Sequence, residues 1–342
     1  MMKPWENGPV VSVIIPARDA ARTLERTLRA LSQQEFENAF EVIVVDDGSS
    51  DDTAVLARSY EPLVKVIRNE LPGGAGAARN LGVGHARASL LAFTDADCFP
   101  ARDWLSRGLD RLTQADIVQG RVEPDPGQAP TPFDRTLSVQ RDRGFYQTAN
   151  LFVRREVFEK TGGFRDRSLG LRKQRGTCDT PPRRPIGEDT VFGWMACRSG
   201  ARSTFASDAL VHHAVVPGRI RDAVADRWNW STKMAGLAKL VPELRTTVFY
   251  RRWFFTNWTA SFDMAVVGLV ASLVSRKKWP LAVAAPYATQ VYRNAAQYLT
   301  VSEGHVSALT QTGRYVLGVP IVDAVTLAGL VAGSVAWRTV VL

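Results

Sequence analysis

Short β-branched and apolar runs alternate with segments of helical periodicity over the N-terminal third of this chain. Four runs have the length and composition of buried strands: Val10 to Ile15, Phe40 to Val45, Val64 to Ile67, and Leu90 to Thr94. Between the first two runs, apolar residues repeat at helical spacing: Leu24, Leu28 and Leu31. Because alternating strands and helices pack as a mostly parallel sheet with helices on both faces, we predict an α/β fold.

Polar clusters follow three of the predicted strands. They are Ala17-Arg18-Asp19, Asp46-Asp47 and Asp95-Ala96-Asp97. In open α/β sheets, ligands bind beyond the carboxyl ends of the strands. We therefore expect the binding site at this edge of the sheet.

The acidic pairs have two interpretations each. Asp95 and Asp97 offer hard oxygen ligands that suit Mg²⁺ or Mn²⁺ carrying a diphosphate, but Asp97 is also placed to cap a helix. Asp46 and Asp47 can accept hydrogen bonds from a nucleobase or ribose, or they can form a turn before a helix opened by Ser49 or Ser50.

Two further segments carry polar groups in suggestive positions. The glycine-rich run at residues 73–80 permits close approach of the backbone to a ligand, but it lacks the Lys-Ser/Thr pair of a P-loop and the glycine spacing of a dinucleotide-binding turn. Glu188-Asp189 opens a predicted helix, where an acid can serve as a general base or interact with the helix dipole. The sequence therefore disfavours both a P-loop and a dinucleotide-binding turn at residues 73–80.

The order and spacing of these segments resemble glycosyltransferase family 2, which has the GT-A fold. The matching segments lie between residues 10 and 215: VSVIIPARD, VVDDGSSDDT, GGAGAARNLG, FTDADC, TANLFVRREVFEKTGGF, GEDT and ALVHH. The resemblance implies an enzyme that transfers a sugar from a nucleotide-sugar donor and inverts its anomeric configuration.

The resemblance also implies a role for each matched position. The residues expected to bind the nucleotide-sugar are Pro16, Ala17, Asp19, Asp46, Asp47, Arg79 and Asp95. Of the two neighbouring acids, Asp47 is preferred for the contact with the base or ribose.

The metal and acceptor sides follow from the same matches. Asp97 would be the main ligand of a divalent cation, Mg²⁺ or Mn²⁺, with His213 close to the metal or diphosphate. Asp189 would be the catalytic base. The residues expected on the acceptor side are Asn150, Glu188, Arg227 and Trp228.

Two departures from the family pattern bear on the acceptor. Polymer-forming members carry Gln-x-x-Arg-Trp, and here Val224 stands at the glutamine position, which predicts single transfer rather than processive synthesis. Residues 165–186 form a long segment with seven basic and two acidic residues. This segment either clamps a diphosphate lipid or is a solvated loop.

The C-terminal quarter is apolar and aromatic. Thr259 to Ser275 and Leu317 to Trp337 approach the ~20 apolar residues needed to span a bilayer, although they contain Asp263 and Asp323. Before them, residues 219–258 mix tryptophan and phenylalanine with arginine and lysine, as interfacial helices do. We predict a catalytic domain over 1–217, interfacial helices over 218–258, and membrane-embedded or membrane-associated helices over 259–342. A soluble helical appendage is the alternative.

Charge and cysteine content bear on partners and compartment. The net charge is +9, but the basic residues fall in a loop and beside aromatic helices with no groove-reading motif, so we expect membrane lipid and no nucleic acid as partner. The odd count of three cysteines and the N-terminus without an apolar run predict reduced thiols and a catalytic domain on the cytoplasmic face of a membrane. The acceptor is expected to be a glycan or a lipid-linked molecule.

Two other functions remain open at this point. A nucleotidyltransferase that makes nucleotide-sugars shares metal carboxylates and a similar sheet, but its glycine-rich basic loop is replaced here by PARDAART after the first strand. A catalytically silent membrane scaffold is disfavoured because both Asp97 and Asp189 are retained.

Overall fold

The computed structural model describes residues 8–164, 187–301 and 305–342. The basic segment 165–186, including Cys178, lies outside the described residues. The chain divides into two compact units. The N-terminal unit comprises Met1–Gln128 and Thr136–Ala214, and the C-terminal unit comprises Ala129–Arg135 and Val215–Leu342.

The N-terminal unit is built on one mixed sheet of eight strands. The strands are β1 (Val11–Ala17), β2 (Phe40–Asp46), β3 (Val64–Arg68), β4 (Leu90–Phe93), β5 (Cys98–Pro100), β6 (Ile117–Pro124), β7 (Leu151–Arg154) and β8 (Ser203–His213). Their order in the sheet is β3-β2-β1-β4-β7-β6-β8-β5. The first four are parallel, β7 is antiparallel to both its neighbours, β6 and β8 are parallel, and β5 is antiparallel to β8.

In the described part of this unit, six α-helices accompany the sheet. They are α1 (Ala21–Ser32), α2 (Thr53–Arg58), α3 (Ala75–His85), α4 (Trp104–Leu112), α5 (Arg155–Thr161) and α6 (Glu188–Arg198). Successive residues of β1 enter different cores: Val13 and Ile15 pack in the core that includes Leu24, whereas Ile14 packs in the core that includes Phe192. Because successive side chains of a strand point to opposite faces, these two cores lie on opposite sides of the sheet, and each includes helix residues. The predicted α/β fold is confirmed.

The parallel half of the sheet agrees closely with the sequence pattern. Each predicted strand overlaps one of β1 to β4, and α1 buries Leu24, Leu28 and Leu31 as its periodicity predicts. In α3, Gly82 allows the helix to lie directly on β1, since a Cβ there would stand 2.6 Å from Ile14 Cγ2. Because β1 is parallel to both β2 and β4, the carboxyl ends of these three strands meet at one edge of the sheet.

The C-terminal unit is helical. Its helices are α7 (Ile220–Leu240), α8 (Leu244–Thr247), α9 (Asn257–Ser275), α10 (Ala285–Val301) and α11 (His305–Trp337), with a 3-10 turn at Trp279–Ala284. Helix α11 packs along α7 through small residues: a Cβ on Gly329 would stand 2.0 Å from Ser231 Oγ. Asp323 of α11 accepts hydrogen bonds from Trp258 Nε1 at 2.8 Å and Tyr287 Oη at 2.7 Å, which joins α9, α10 and α11.

Two helices among the described residues are long and apolar enough to cross a membrane. They are Asn257–Ser275 and the Ala308–Trp337 part of α11, and most of each is not buried within the protein. These helices overlap the two stretches singled out in the sequence and suggest a C-terminal region that associates with membrane.

Candidate active site

The candidate site residues of the N-terminal unit gather where strands of the sheet end. Asp19 follows β1, Asp46 ends β2 and Asp95 follows β4. The antiparallel register of β5 and β8 pairs Cys98 with His213, which brings Asp97 beside that histidine. The sheet therefore assembles residues from four separate parts of the sequence.

Asp46 stabilises the turn that follows β2. Its carboxylate is fully buried and accepts hydrogen bonds from Ser49 N at 2.9 Å and Arg68 Nη1 at 2.7 Å. Both oxygens are thus engaged within the protein. Of the two acids in the pair, Asp46 is the one whose contacts form the turn itself.

Asp47 connects the same turn to the glycine-rich loop. Its Oδ1 accepts hydrogen bonds from Asn69 Nδ2 at 2.7 Å and Gly73 N at 3.1 Å, and its Oδ2 accepts one from Gly74 N at 2.8 Å. Gly74 has a φ of 90°, a backbone conformation that strongly favours glycine. Asp47 therefore sets the path of the loop that leads into α3, and its contact with a base or ribose stays a prediction.

The loop after β1 is held against the loop after β2. Asp19 adopts a φ of 49°, its amide donates to Ser49 Oγ at 3.0 Å, and its Oδ1 accepts from Ser50 N at 2.8 Å. These Ser50 hydrogen bonds lower the pKa of Asp19, so it is ionised at neutral pH. Ala17 is buried and its carbonyl accepts from Asp47 N at 2.8 Å, whereas Pro16 is half-buried.

Arg79 is a buried cation among three carboxylates. Only 4% of it is exposed, its Nη2 donates to Asp95 Oδ1 at 2.6 Å, and its Nη1 lies 3.8 Å from Glu188 Oε1. Its positive charge also acts on Asp189. A buried arginine needs carboxylate partners to offset its desolvation, so this ion-pair group joins the end of β4 to the start of α6.

Asp97 and His213 form a pair suited to a divalent cation. Asp97 Oδ2 lies 3.6 Å from His213 Nε2. His213 Nδ1 is 2.8 Å from the carbonyl oxygen of Ala214, so Nδ1 donates to that oxygen and Nε2 is the ring nitrogen that faces Asp97. Burial raises the pKa of Asp97, the charge of His213 lowers it, and the charge of Asp95 raises it. A cation at this position would relieve that repulsion.

Cys98 lies close enough to Asp97 and His213 to be considered a third ligand, because the potential ligand atoms of the three residues lie within 4.8 Å of one another. Burial and the charges of Asp95 and Asp97 raise the pKa of its thiol, so the sulfur stays protonated and is a poor ligand. A carboxylate and an imidazole remain as donors. This set fits an oxygen-preferring divalent cation whose other positions are filled by phosphate oxygens or water.

Asp189 has the properties expected of a general base. It lies in the first turn of α6, and its Oδ1 accepts a hydrogen bond from Thr190 N at 2.7 Å. Burial raises the pKa of Asp189 to about 7; the charges of Glu188 and Asp95 also raise it, and the charge of Arg79 opposes the shift. A carboxylate with a pKa near 7 binds a proton more strongly than an ordinary one while remaining partly ionised at neutral pH.

Asn150, predicted for the acceptor side, makes its side-chain contacts within the protein. The residue is fully buried; its Oδ1 accepts from Trp104 Nε1, and its Nδ2 donates to the carbonyls of Arg121 and Ala209, all at 2.8 Å. The amide thus connects α4, β6 and β8, which gives Asn150 a structural role. Its acceptor-side role stays a prediction.

Arg227 and Trp228 lie on α7 in the C-terminal unit and are both exposed. Glu188, the other residue predicted for the acceptor side, lies in the N-terminal unit near Arg79. The acceptor-side role of these three residues stays a prediction.

One ion pair close to the candidate metal ligands was not predicted from the sequence. Arg26 of α1 forms a two-pronged ion pair with Asp125, with Nη2 to Oδ1 at 2.8 Å, and its guanidinium stacks 3.9 Å from the Phe99 ring centre. Asp125 N in turn donates to the carbonyl of His213 at 2.9 Å, so the pair braces the candidate metal ligand. No local pattern marks these partners, because they lie 99 positions apart.

Comparison with known proteins identifies relatives of the chain. A sequence profile described as "Glycosyl transferase family 2" matches residues 12–168. "Glycosyltransferase AglE" from Haloferax volcanii is 34% identical over 224 residues, which cover 61% of this chain and 68% of the relative. "Pre-mycofactocin glycosyltransferase" from Mycobacterium tuberculosis is 27% identical over 271 residues, 77% of this chain and 55% of the relative. The chain thus spans about half the length of the mycobacterial relative.

A solved structure shares the fold. It is the mannosyltransferase PcManGT from Pyrobaculum calidifontis, described in complex with GDP-Man and Mn²⁺. The match has a TM-score of 0.54 and 20% sequence identity, and it covers 98% of this chain and 91% of that one. Together with the sequence profile, this likeness identifies the N-terminal sheet as a GT-A fold.

The structural role of Asn150 can be tested by Asn150→Ala. We expect the free energy of unfolding to fall by at least about 2 kcal/mol, because the change leaves the buried Trp104 Nε1 and two strand carbonyls without a partner. Denaturant unfolding of the variant measures the loss, and Asn38→Ala, an exposed asparagine, is the matched control. Unchanged stability together with weakened acceptor use would contradict the structural role and favour the acceptor-side assignment.

Proposed function

This chain belongs to glycosyl transferase family 2 and is a glycosyltransferase, and from that premise we propose that it is an inverting, metal-dependent and non-processive enzyme. Its substrates are a nucleotide-sugar donor and an acceptor hydroxyl. The observation that carries the proposal is the position of buried Arg79, which is within ion-pair distance of Asp95 and Glu188 and acts electrostatically on Asp189.

The donor binds at the ends of the parallel strands. The residues proposed to contact it are those predicted from the sequence: Pro16, Ala17, Asp19, Asp46, Asp47, Arg79 and Asp95. Support comes from the convergence of their loops and from the fold neighbour, which is described with a bound GDP-sugar. Arg79 and the loop held by Asp47 offer positive charge and close backbone approach on the phosphate side.

Asp97 and His213 are the proposed holders of a divalent cation, Mg²⁺ or Mn²⁺. When bound, such a cation neutralises charge that develops on the departing nucleoside diphosphate. Arg26 and Asp125 keep the histidine end of this pair in position through the backbone of His213.

Asp189 is the proposed base. It accepts the proton of the acceptor hydroxyl as that oxygen bonds to the anomeric carbon and the bond from this carbon to the diphosphate oxygen breaks. Attack from the face opposite the leaving group inverts the anomeric configuration. Val224, at the glutamine position of the polymer-forming motif, supports a single transfer.

The metal proposal is tested by a donor screen with Asp97→Ala. Purified enzyme, Mn²⁺ or Mg²⁺ and a panel of nucleotide-sugars are assayed for released nucleoside diphosphate. We expect metal-dependent turnover to fall more than about a hundredfold, since loss of an outer-shell partner alone costs about 10–100-fold at metal sites. Asp110→Ala, an exposed acid on α4, is the control. Undiminished turnover by a folded Asp97 variant excludes it from the site, and a retained anomer in the product excludes inversion.

The base proposal is tested by pH profiles. Because only ionised Asp189 accepts a proton, kcat/KM should fall below pH of about 7, where the raised pKa protonates it. Asp189→Asn should bind nucleotide normally yet lose about 10²–10⁴-fold in kcat. Glu188→Gln should move the acidic limb to lower pH, because the Glu188 charge raises the pKa of Asp189. Equal loss of nucleotide affinity in Asp189→Asn would make this residue a binding group instead.

We further propose that the C-terminal unit seats the enzyme on a membrane, with residues 218–258 in the interface, the N-terminal unit on the cytoplasmic side, and a lipid-linked acceptor. Several apolar side chains of α9 face outward: Val267 is 58% exposed, Leu273 71% and Val274 81%. Arg276, Lys277 and Lys278 follow directly. Apolar and basic residues side by side are typical of segments that bind anionic bilayer surfaces.

The free thiols of Cys98 and Cys197 are consistent with a reducing compartment.

Packing within the C-terminal unit favours a surface position over a spanning one. Helix α11 lies along α7, and α7 carries charged residues along its length: Arg221, Asp222, Asp226, Arg227, Lys233 and Lys239. A spanning α11 would draw this partner into the hydrocarbon at a cost of about 2.5–3.5 kcal/mol for each charge at the centre. The proposed arrangement therefore has the unit lying in the interface.

Fractionation of cells that express the full chain tests this arrangement. We expect the protein in the membrane fraction and its release by carbonate, which frees surface proteins but not spanning ones. The double change Leu273→Glu/Val274→Glu should shift it toward the soluble fraction, while Val55→Glu, on α2 and 65% exposed, should not. Full solubility of the unaltered protein would contradict membrane association, and retention through carbonate would contradict the surface position.

A further inference from the structure

A cavity of about 340 Å³ lies within the C-terminal unit, between the start of α7 and the middle of α11. Its apolar wall comprises Phe133, Ile220, Leu317, Gly318 and Ile321. Two arginines, Arg219 and Arg314, complete the lining. Leu317 is 75% exposed and Ile321 52%, so the apolar wall continues onto the surface of the unit.

Neither guanidinium forms an ion pair with a carboxylate in the described parts of the chain. Arg314 Nη1 donates one hydrogen bond to Gln311 Oε1 at 3.3 Å, and both arginines are exposed. Two cations that border an apolar cavity repel each other, and an anion between them would remove that cost. The cavity thus combines positive charge at one end with an apolar wall.

Two carboxylates that lie beside lining residues in the sequence, Asp134 next to Phe133 and Asp222 near Ile220, are already engaged elsewhere. Asp134 accepts hydrogen bonds from Gly218 N at 2.9 Å and from Thr131 N and Oγ1 at 2.8 Å. Asp222 accepts from the backbone amide of Arg219 at 3.1 Å and pairs with Arg221 at 3.6 Å. Their contacts shape the loop and the start of α7 and leave the two guanidinium groups available to a ligand.

The two arginines lie at the same level because α7 and α11 run parallel. A Cβ on Gly318 would stand 3.0 Å from Ile220 Cδ1, and one on Gly329 would stand 2.0 Å from Ser231 Oγ. In both contacts the α11 residue follows the α7 residue by the same number of positions in the sequence. The same separation places Arg219 level with Leu317, the first residue of the apolar stretch of α11. Arg314 precedes Leu317 by less than one turn.

The charged end of the cavity therefore coincides with the end of an apolar helix surface. Lipid phosphates lie at the boundary between acyl chains and water, which is where the proposed interfacial position places this unit. Arginine matches a phosphate through parallel N–H donors, and the start of α7 adds the positive end of a helix dipole.

We propose that this cavity is a binding site for an anionic phospholipid, with its phosphate between Arg219 and Arg314 and its acyl chain along Leu317 and Ile321. The site lies wholly within the C-terminal unit and acts as a specific attachment point to the bilayer. It rests on the membrane association proposed above and is independent of the proposed donor chemistry.

The test uses the full-length enzyme reconstituted from detergent and floated with vesicles at physiological ionic strength. One set of vesicles contains phosphatidylcholine alone, and the other adds phosphatidylglycerol. The variants are Arg219→Gln, Arg314→Gln and their combination. The matched control is Arg293→Gln, an exposed arginine on α10 that makes the same change of charge. Circular dichroism melting checks that each variant is folded.

We expect each single variant to lower the preference for phosphatidylglycerol vesicles roughly fivefold and the pair about thirtyfold, as for basic residues at anionic membranes. Binding to phosphatidylcholine should change little, and the control should keep the preference of the unaltered enzyme. An equal loss in Arg293→Gln would overturn the site in favour of general surface charge. A site for free phosphate would be indicated if millimolar inorganic phosphate abolished the preference, and that result would also overturn the lipid assignment.

Discussion

The candidate site of the N-terminal unit depends on the buried cation of Arg79. Arg79 comes from α3, yet it contacts Asp95 at the end of β4 and lies within ion-pair distance of Glu188 at the start of α6. Without it, several carboxylates would stand together in a partly desolvated pocket, where like charges raise one another's pKa. With it, Asp95 remains paired, and the raised pKa of Asp189 is limited to about 7. The same ion-pair group thus secures the fold at this edge and sets the proton affinity of the proposed base.

Several acidic side chains hold the loops at this edge of the sheet in place. Asp46 closes the turn after β2, Asp47 holds the backbone of Gly73 and Gly74, and Asp19 fastens one loop to Ser50. Each carboxylate binds backbone amides or a neighbouring side chain before any ligand arrives. Such preorganisation fixes the backbone of the proposed donor site, so that binding there costs little further conformational entropy.

The C-terminal unit combines apolar helices with a charged helix. Its helices α9 and α11 are apolar enough to leave water, yet α11 packs against the charged helix α7. These two facts are compatible when the unit lies at the boundary of a bilayer, where apolar faces enter the hydrocarbon and charges remain hydrated. Asp323 fits the same pattern, because its carboxylate is satisfied internally by Trp258 and Tyr287.

The sequence by itself determined the parallel half of the sheet, helix α1 and the family. These features rest on local periodicity, as at Leu24, Leu28 and Leu31, or on the ordered motifs between residues 10 and 215. The later strands were not foreseen, because β5 and β7 are only three and four residues long and all of β5 to β8 pair with partners that are remote along the chain. Only the tertiary structure could show that Asn150 is buried among α4, β6 and β8, or that Arg26 and Asp125 brace His213. The physical reason is the same in each case: burial and hydrogen bonding depend on groups that are remote along the chain and adjacent only after folding.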